Sequence, residues 1–409
     1  MAIFRYVKTW LALTMTLLVC LPTLNLVMDP LDAYRVVYID GFNTVKSKMK
    51  RFIRLSKAVQ IQRRQPEIVL MGSSRSEFGY PMDRPEWADK SVYNYAVSGA
   101  NVYTVYRFFQ HAVSQSKVKR LILGVDFFMF NTYVVAPFPE EPILAVEENG
   151  EANNDFRIKQ ALNLLFSIDV LNASFGMLGK QEAKLQRYTQ YGRLQPSVRK
   201  KRKSQPILQK FESTELSYAL NAWTPCHDTQ FAYQRADGSQ NTFGYLKKIL
   251  ALAKANDIEV TLIISPSHAR LWELLDLVGL WSEYEHWKTL MVDVVSEYSE
   301  SSVALWDFSG YHQYAVEPVP DQAGVGMKWY LDTSHFSSAL GQKVLDQVVA
   351  GESGVGVVLT KQNLKTHLSS SKQAQLEYRK NNASQYLSLK TLADKYRIRR
   401  QARGIQCDG

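Results

Sequence analysis

Three short segments of the chain are apolar almost without interruption: EIVLMG at 67–72, KRLILGVDFF at 119–128 and IEVTLIISP at 258–266. A strand with one face in water alternates apolar and polar residues. A strand covered on both faces reads as a continuous run of Val, Ile and Leu. These segments therefore demand packing on both sides of a sheet. Two more β-like segments, SVYNYAV at 91–97 and SVALWDFS at 302–309, make five. Between them, 101–116, 242–257 and 283–299 carry apolar residues three and four apart, the helical period. Strand and helix alternate, so the expected class is α/β. The expected architecture is three layers, α/β/α, around a five-stranded, mostly parallel sheet.

Residues 130–240 break this rhythm and read as a large insertion that caps the sheet. Within it, 155–179 reads as one or two helices, and five consecutive basic residues, Arg199 to Lys203, lie between prolines. That run suits an anion or a headgroup, or simply a solvated loop. The sheet core then falls in two parts, 65–129 and 241–350, followed by a basic, polar tail at 351–409, read as helical or disordered.

The N-terminus sets a second constraint. Residues 1–8 include Arg5 and Lys8, and the twenty residues from Thr9 to Met28 carry no charge. That is enough to cross a bilayer as a helix. No small-x-small cleavage site follows, so 9–28 is expected to be an uncleaved anchor with residues 1–8 inside the cell. The domain beyond it would lie on the periplasmic or extracellular side of the cytoplasmic membrane. The next stretch, 29–64, is strongly basic and reads as a juxtamembrane segment.

The 409 residues carry a net charge of +10, which suits anionic partners or a basic solvated surface. No nucleic-acid module accompanies it, and the anchor argues against nucleic acid. The cysteines are Cys20, Cys226 and Cys407; no CxxC or Cys/His cluster has metal-site spacing, so no metal and no cofactor is expected. Pairing of Cys226 with Cys407 stays open.

In open α/β sheets, ligands bind beyond the carboxyl ends of the strands. The first strand ends in Gly72-Ser73-Ser74-Arg75, the second leads into Ser98-Gly99-Ala100-Asn101, and the third ends in Gly124-Val125-Asp126. The fourth ends in Ser265-Pro266-Ser267-His268. After the last comes KWYLDTSHFSSALGQKVLD, in which Asp332 and His335 stand three apart. A serine needs a base, and the base an orienting carboxylate. Asp332 and His335 supply that pair, for Ser73 or Ser74 as nucleophile. Backbone amides at Ser74 and Gly99 would meet an oxyanion. Arg75, Asp126 and His268 read as substrate-binding or structural, and His312 as structural.

This order of motifs resembles the SGNH, or GDSL-type, hydrolase superfamily, whose fold is flavodoxin-like. The resemblance covers roughly 65–128 and 242–350 and implies Ser74 as nucleophile, Gly99 as oxyanion glycine and Asp332 and His335 as its partners. The family's third block is Gly-x-Asn-Asp, with the asparagine donating to the oxyanion. Here Asp126 stands in that place, and an ionised carboxylate cannot donate. Asn101 or Arg75 would then supply the missing donor. The Gly-Ser-Ser form with an anchor is similar to extracytoplasmic SGNH-like proteins, some of which work beside membrane-bound O-acyltransferases in alginate acetylation or D-alanine transfer. The expected function is a serine esterase or O-acyltransferase acting on acyl esters of a cell-envelope or exopolysaccharide glycan. The alternative is a catalytically inactive SGNH-fold protein that binds a glycan or a membrane-bound acyltransferase.

Overall fold

The computed structural model describes residues 2–134, 144–196, 205–224, 231–298 and 300–403. Arg199 to Lys203, Cys226 and Cys407 lie outside the described residues.

The strands are β1 (Ile68–Met71), β2 (Val92–Asn94), β3 (Arg120–Val125), β4 (Glu259–Ile264), β5 (Val303–Asp307) and β6 (Val357–Val358). The helices in chain order are α1 (Ala2–Met28), α2 (Ile53–Arg64), α3 (Ser74–Gly79), α4 (Val102–Gln115), α5 (Phe156–Leu165), α6 (Ile168–Met177) and α7 (Ile207–Ser217). They continue with α8 (Thr242–Ala255), α9 (Ala269–Leu277), α10 (Trp281–Ser296), α11 (Ser338–Ala350), α12 (Leu364–Asn381) and α13 (Ala383–Arg403).

The class is α/β, but the sheet has six strands and not five, in the order β2-β1-β3-β4-β5-β6. The first five run parallel; β6 pairs antiparallel to β5, with Asp307 opposite Val357. The sixth strand comes from the segment expected to be a polar tail, where α12 and α13 also form. Leu389, Leu392 and Tyr396 of α13 are buried in the main core.

The continuous apolar runs serve two cores. Val69, Met71, Leu121, Leu123, Val260, Leu262 and Ile264 point into one, shared with Phe108 and Phe109 of α4, Ile249 of α8 and Trp287 of α10. Ile68, Leu70, Ile122 and Ile263 point into the other, with Leu340 and Val344 of α11 and Phe336. Burial of alternate residues on opposite faces is the physical reason for the runs.

Much of the stretch 29–64, read from sequence as a juxtamembrane segment, is folded into the domain. Its α2 is part of the packed domain, with Ile53, Ser56, Lys57, Ala58 and Ile61 buried. The expected helical part of the insertion becomes α5 and α6, and the insertion adds α7. At the N-terminus, α1 is long and apolar enough to cross a membrane.

Two glycines set the position of the α3 turn. Gly72 holds φ +137°, where a Cβ would strike Ser76 and the Gly124 carbonyl, so the strand turns straight into α3. Gly341 of α11 packs directly on the Gly79 carbonyl at the end of α3. A methyl there has only backbone to meet. Gly341→Ala is therefore expected to destabilise the protein by about 3 kcal/mol, the upper range for overpacking, as read by urea unfolding. An unchanged midpoint would show that α11 slides freely on α3.

Candidate active site

The carboxyl ends of β1, β3 and β4 and the 329–337 loop meet at one edge of the sheet. Here β1 lies between β2 and β3, where the strand order reverses, the place at which open sheets bind ligands.

Ser73 is the N-cap of α3, accepting from the Arg75 amide, so Ser74 becomes the first residue of the helix. Ser74 Oγ lies 2.9 Å from His335 Nε2. His335 Nδ1 lies 2.9 Å and 3.0 Å from the two oxygens of Asp332. The edge of Phe78, one turn along α3, packs against the imidazole ring with centroids 5.4 Å apart. Spacing alone did not say whether Ser73 or Ser74 faces the base. In the structure Ser73 Oγ instead donates to Asp126 at 2.5 Å.

The loop holding Asp332 and His335 is fixed from several sides. Asp332 Oδ1 accepts from the amides of His335 (2.9 Å) and Ser334 (3.1 Å), a local turn that the Asp-x-x-His spacing allows. Tyr330 bridges Phe336 across the loop, and the His268 amide donates to the Thr333 carbonyl. Lys210 of α7 reaches in from the insertion, its Nζ 3.0 Å from Asp332 Oδ2. Burial pushes the Asp332 carboxyl up, but the facing His335 and Lys210 outweigh it and hold the group well below the usual carboxylate range. Asp332 is therefore ionised at neutral pH, the state needed to orient a His N–H. Lys210 had no sequence signal: it sits in the first turn of α7, within the insertion, and only tertiary packing brings it here.

Arg75 is buried and has its donors engaged. Nε donates to the Ser334 carbonyl at 3.1 Å, and Nη2 to the carbonyls of Ser265 (3.2 Å) and Pro266 (2.7 Å) and to Ser267 Oγ. Nη1 stands 2.8 Å from Asp126 Oδ1 as an ion pair. Burial pushes the guanidinium down, and Asp126 more than restores it. Asp126 is thus the counter-charge of a buried arginine, with its other oxygen taken by Ser73. Arg75, expected from the sequence as a possible oxyanion donor, is engaged with protein groups instead. Asn101 caps α4, its Oδ1 accepting from the Thr104 amide and hydroxyl, both at 2.9 Å.

Gly99 sits in a turn with φ +71°, a conformation that suits glycine. The turn is anchored from below: Ser98 Oγ donates to Glu77 Oε2 at 2.5 Å, and Glu77 also accepts from Tyr188 at 3.1 Å and faces Lys57 at 3.5 Å. Lys57 is fully buried, and burial pulls its ammonium down to about 8 against the opposing pull of Glu77. This network joins α2, α3, the glycine turn and the insertion. Sequence reading missed it, since a lysine in a basic run reads as solvated.

His268 stands apart from the serine relay. Its Nδ1 accepts from the Arg270 amide at 3.2 Å and its Nε2 donates to the Glu317 carbonyl at 2.7 Å, which fixes a neutral tautomer capping α9. Burial lowers its pKa to about 4, and likewise that of His111, which bonds the Ala58 carbonyl. Each folded value lies below the unfolded one. The unfolded chain therefore takes up protons first as pH falls, and stability is lost from about pH 7 down through 4. The loss is about 3 kcal/mol per histidine. Urea unfolding between those pH values is expected to show it, with a shallower slope in His268→Gln. An equal slope would mean that His268 is protonated in the folded protein.

No protein-family model matches the chain, and no curated protein matches it.

Proposed function

We propose that the chain is a membrane-anchored serine esterase or O-acyltransferase of SGNH-like, three-layer α/β/α architecture. The observation that carries this reading is the relay from Ser74 through His335 to an ionised Asp332 at the carboxyl edge of the sheet. Ser74 Oγ attacks an acyl carbonyl and passes its proton to His335 Nε2. Asp332 keeps the Nδ1–H directed at itself and stabilises the imidazolium. The tetrahedral oxyanion is met by the amides of Ser74 and Gly99. His335 then returns the proton to the leaving alkoxide, and the acyl group stays on Ser74. A water or sugar hydroxyl, deprotonated by the same imidazole, attacks acyl-Ser74; the adduct collapses, the bond from the acyl carbon to Ser74 Oγ breaks, and His335 returns the proton to Ser74 Oγ. The motif resemblance and the anchor support an envelope or exopolysaccharide glycan as acceptor, a domain outside the cytoplasmic membrane, and a membrane-bound O-acyltransferase as the neighbouring partner.

Asp126 was the main support for an inactive protein. Its pairing with Arg75 and Ser73 gives its charge a partner inside the protein, and the reading then rests on the backbone amides of Ser74 and Gly99 as oxyanion donors. The test is a fluorophosphonate probe on the full chain in detergent, with the adduct mapped by mass spectrometry. Labelling at Ser74 that is absent in Ser74→Ala and His335→Ala supports the reading. A folded protein that stays unlabelled would overturn it.

A further inference from the structure

The last turns of α1 are sunk into the insertion. Asn25 is buried, its Nδ2 donates to the Leu165 carbonyl at 2.9 Å, and its Oδ1 accepts from Ser174 at 2.9 Å. These bonds tie α1 to the junction of α5 and α6. Asn43, also buried, donates to the Val27 carbonyl at 2.6 Å and to the Val37 carbonyl at 2.8 Å, which folds the 36–42 loop back on the same end of α1.

Length then fixes where this assembly sits. At 1.5 Å per residue, a helix from Lys8 to Met28 rises about 30 Å, the thickness of the hydrocarbon core. With Lys8 at one boundary, Asn25 and Val27 lie at the other. Whatever is bonded to them lies at the lipid surface.

The elements held there are unusually apolar on the outside. On α5 and at its C-terminal cap, Ile158, Leu162 and Phe166 follow one another at four-residue spacing and are exposed, Ile158 by 66%. On α6, Ile168 and Phe175 are 70% and 55% exposed, and Leu178 just beyond the helix is exposed as well. Val36, Tyr38, Ile39 and Phe42 of the adjoining loop are exposed as well. Arg157, Lys159 and Lys180 are exposed beside them, as fits an anionic headgroup layer. Scattered exposed apolar residues are ordinary, but amphipathic helices with outward apolar faces beside a membrane span are not.

We infer that α5, α6 and the 36–42 loop form a collar around the end of α1 that is embedded in the bilayer interface. The occupant of this apolar surface is lipid. The collar rests on α1 being a membrane span. The chain leaving α6 bonds to Glu77 of α3 through the Leu194 amide and the Tyr188 hydroxyl, so the collar ties the helix that begins at Ser74 to the lipid surface.

The test reconstitutes the full chain in nanodiscs of phosphatidylcholine and phosphatidylglycerol. A fraction of the lipid carries a diazirine high on its acyl chain. After illumination, adducts are mapped by mass spectrometry. The expected result is adducts in α1 and in 156–178 and 36–42. In the Ile168→Glu/Phe175→Glu variant, both sites being exposed, the 156–178 adducts are expected to disappear while those in α1 remain. Thermal melting by circular dichroism checks that the fold is kept. Adducts confined to α1 would overturn the collar, leave the anchor standing, and point to a protein as the occupant. Persistence of the 156–178 adducts in the variant would also overturn it. Absence of adducts from α1 would overturn the anchor itself.

Discussion

Replacing Asp332 by Asn is expected to slow fluorophosphonate labelling of Ser74 by about 10³–10⁴-fold while the protein stays folded. The reason lies in where an amide would have to point. Asp332 Oδ1 faces the amides of Ser334 and His335, so the Asn oxygen takes that place. Its NH2 then stands at Oδ2, against Lys210 and His335 Nδ1. That arrangement favours the imidazole tautomer with a bare Nδ1 and a hydrogen on Nε2. The nitrogen beside Ser74 would then donate rather than accept, and Ser74 would have no base. Lys210 is partly exposed and can turn to water, so the fold has an outlet for the lost charge. A labelling rate within about tenfold of the parent would mean that Asp332 does not orient the base.

The second large effect concerns stability. Asp126→Asn changes one heavy atom in the side chain, yet it is expected to cost about 3–5 kcal/mol, because it leaves the buried Arg75 guanidinium without its counter-charge. Arg75→Met is expected to cost a similar amount by exposing the opposite defect, with several carbonyls of the 265–266 and 334 region losing their donor. The double variant should lose less than the sum, since neither charge is left alone. Urea unfolding of the four proteins gives the coupling directly. Additive losses would show that Arg75 and Asp126 act independently, and Asp126 would return to the list of groups that oppose an oxyanion.

What the sequence made legible follows from how local each signal is. Of the five parallel strands, β1, β3 and β4 were readable because burial on both faces leaves a mark within six residues; β2 and β5 showed only a β-like composition. The sixth strand was not: Val357 and Val358 are exposed and become a strand only by pairing with β5. Ser74, Asp332 and His335 were readable as residue types at strand ends. Asp126 was readable as a problem, but its solution, the adjacent-looking yet distant Arg75, required the β1 and β3 ends to meet. Lys57 and Lys210 were opaque for one shared reason. A lysine's environment is decided by whichever carboxylate the fold brings to it, and Glu77 and Asp332 lie 20 and 122 residues away.

Ser74 and His335 are separated by 261 residues of chain. Ser74 therefore leaves the ribosome long before His335 is made. The contact cannot form until both segments have been made, and closing so long a loop costs chain entropy before the contact repays it. On the proposed reading, a growing chain would carry a serine without its base. Reactivity would then begin only when synthesis is nearly finished and the two halves of the sheet have met. A chain cut anywhere between the insertion and Asp332 would keep α1 and Ser74 and would not label with the fluorophosphonate.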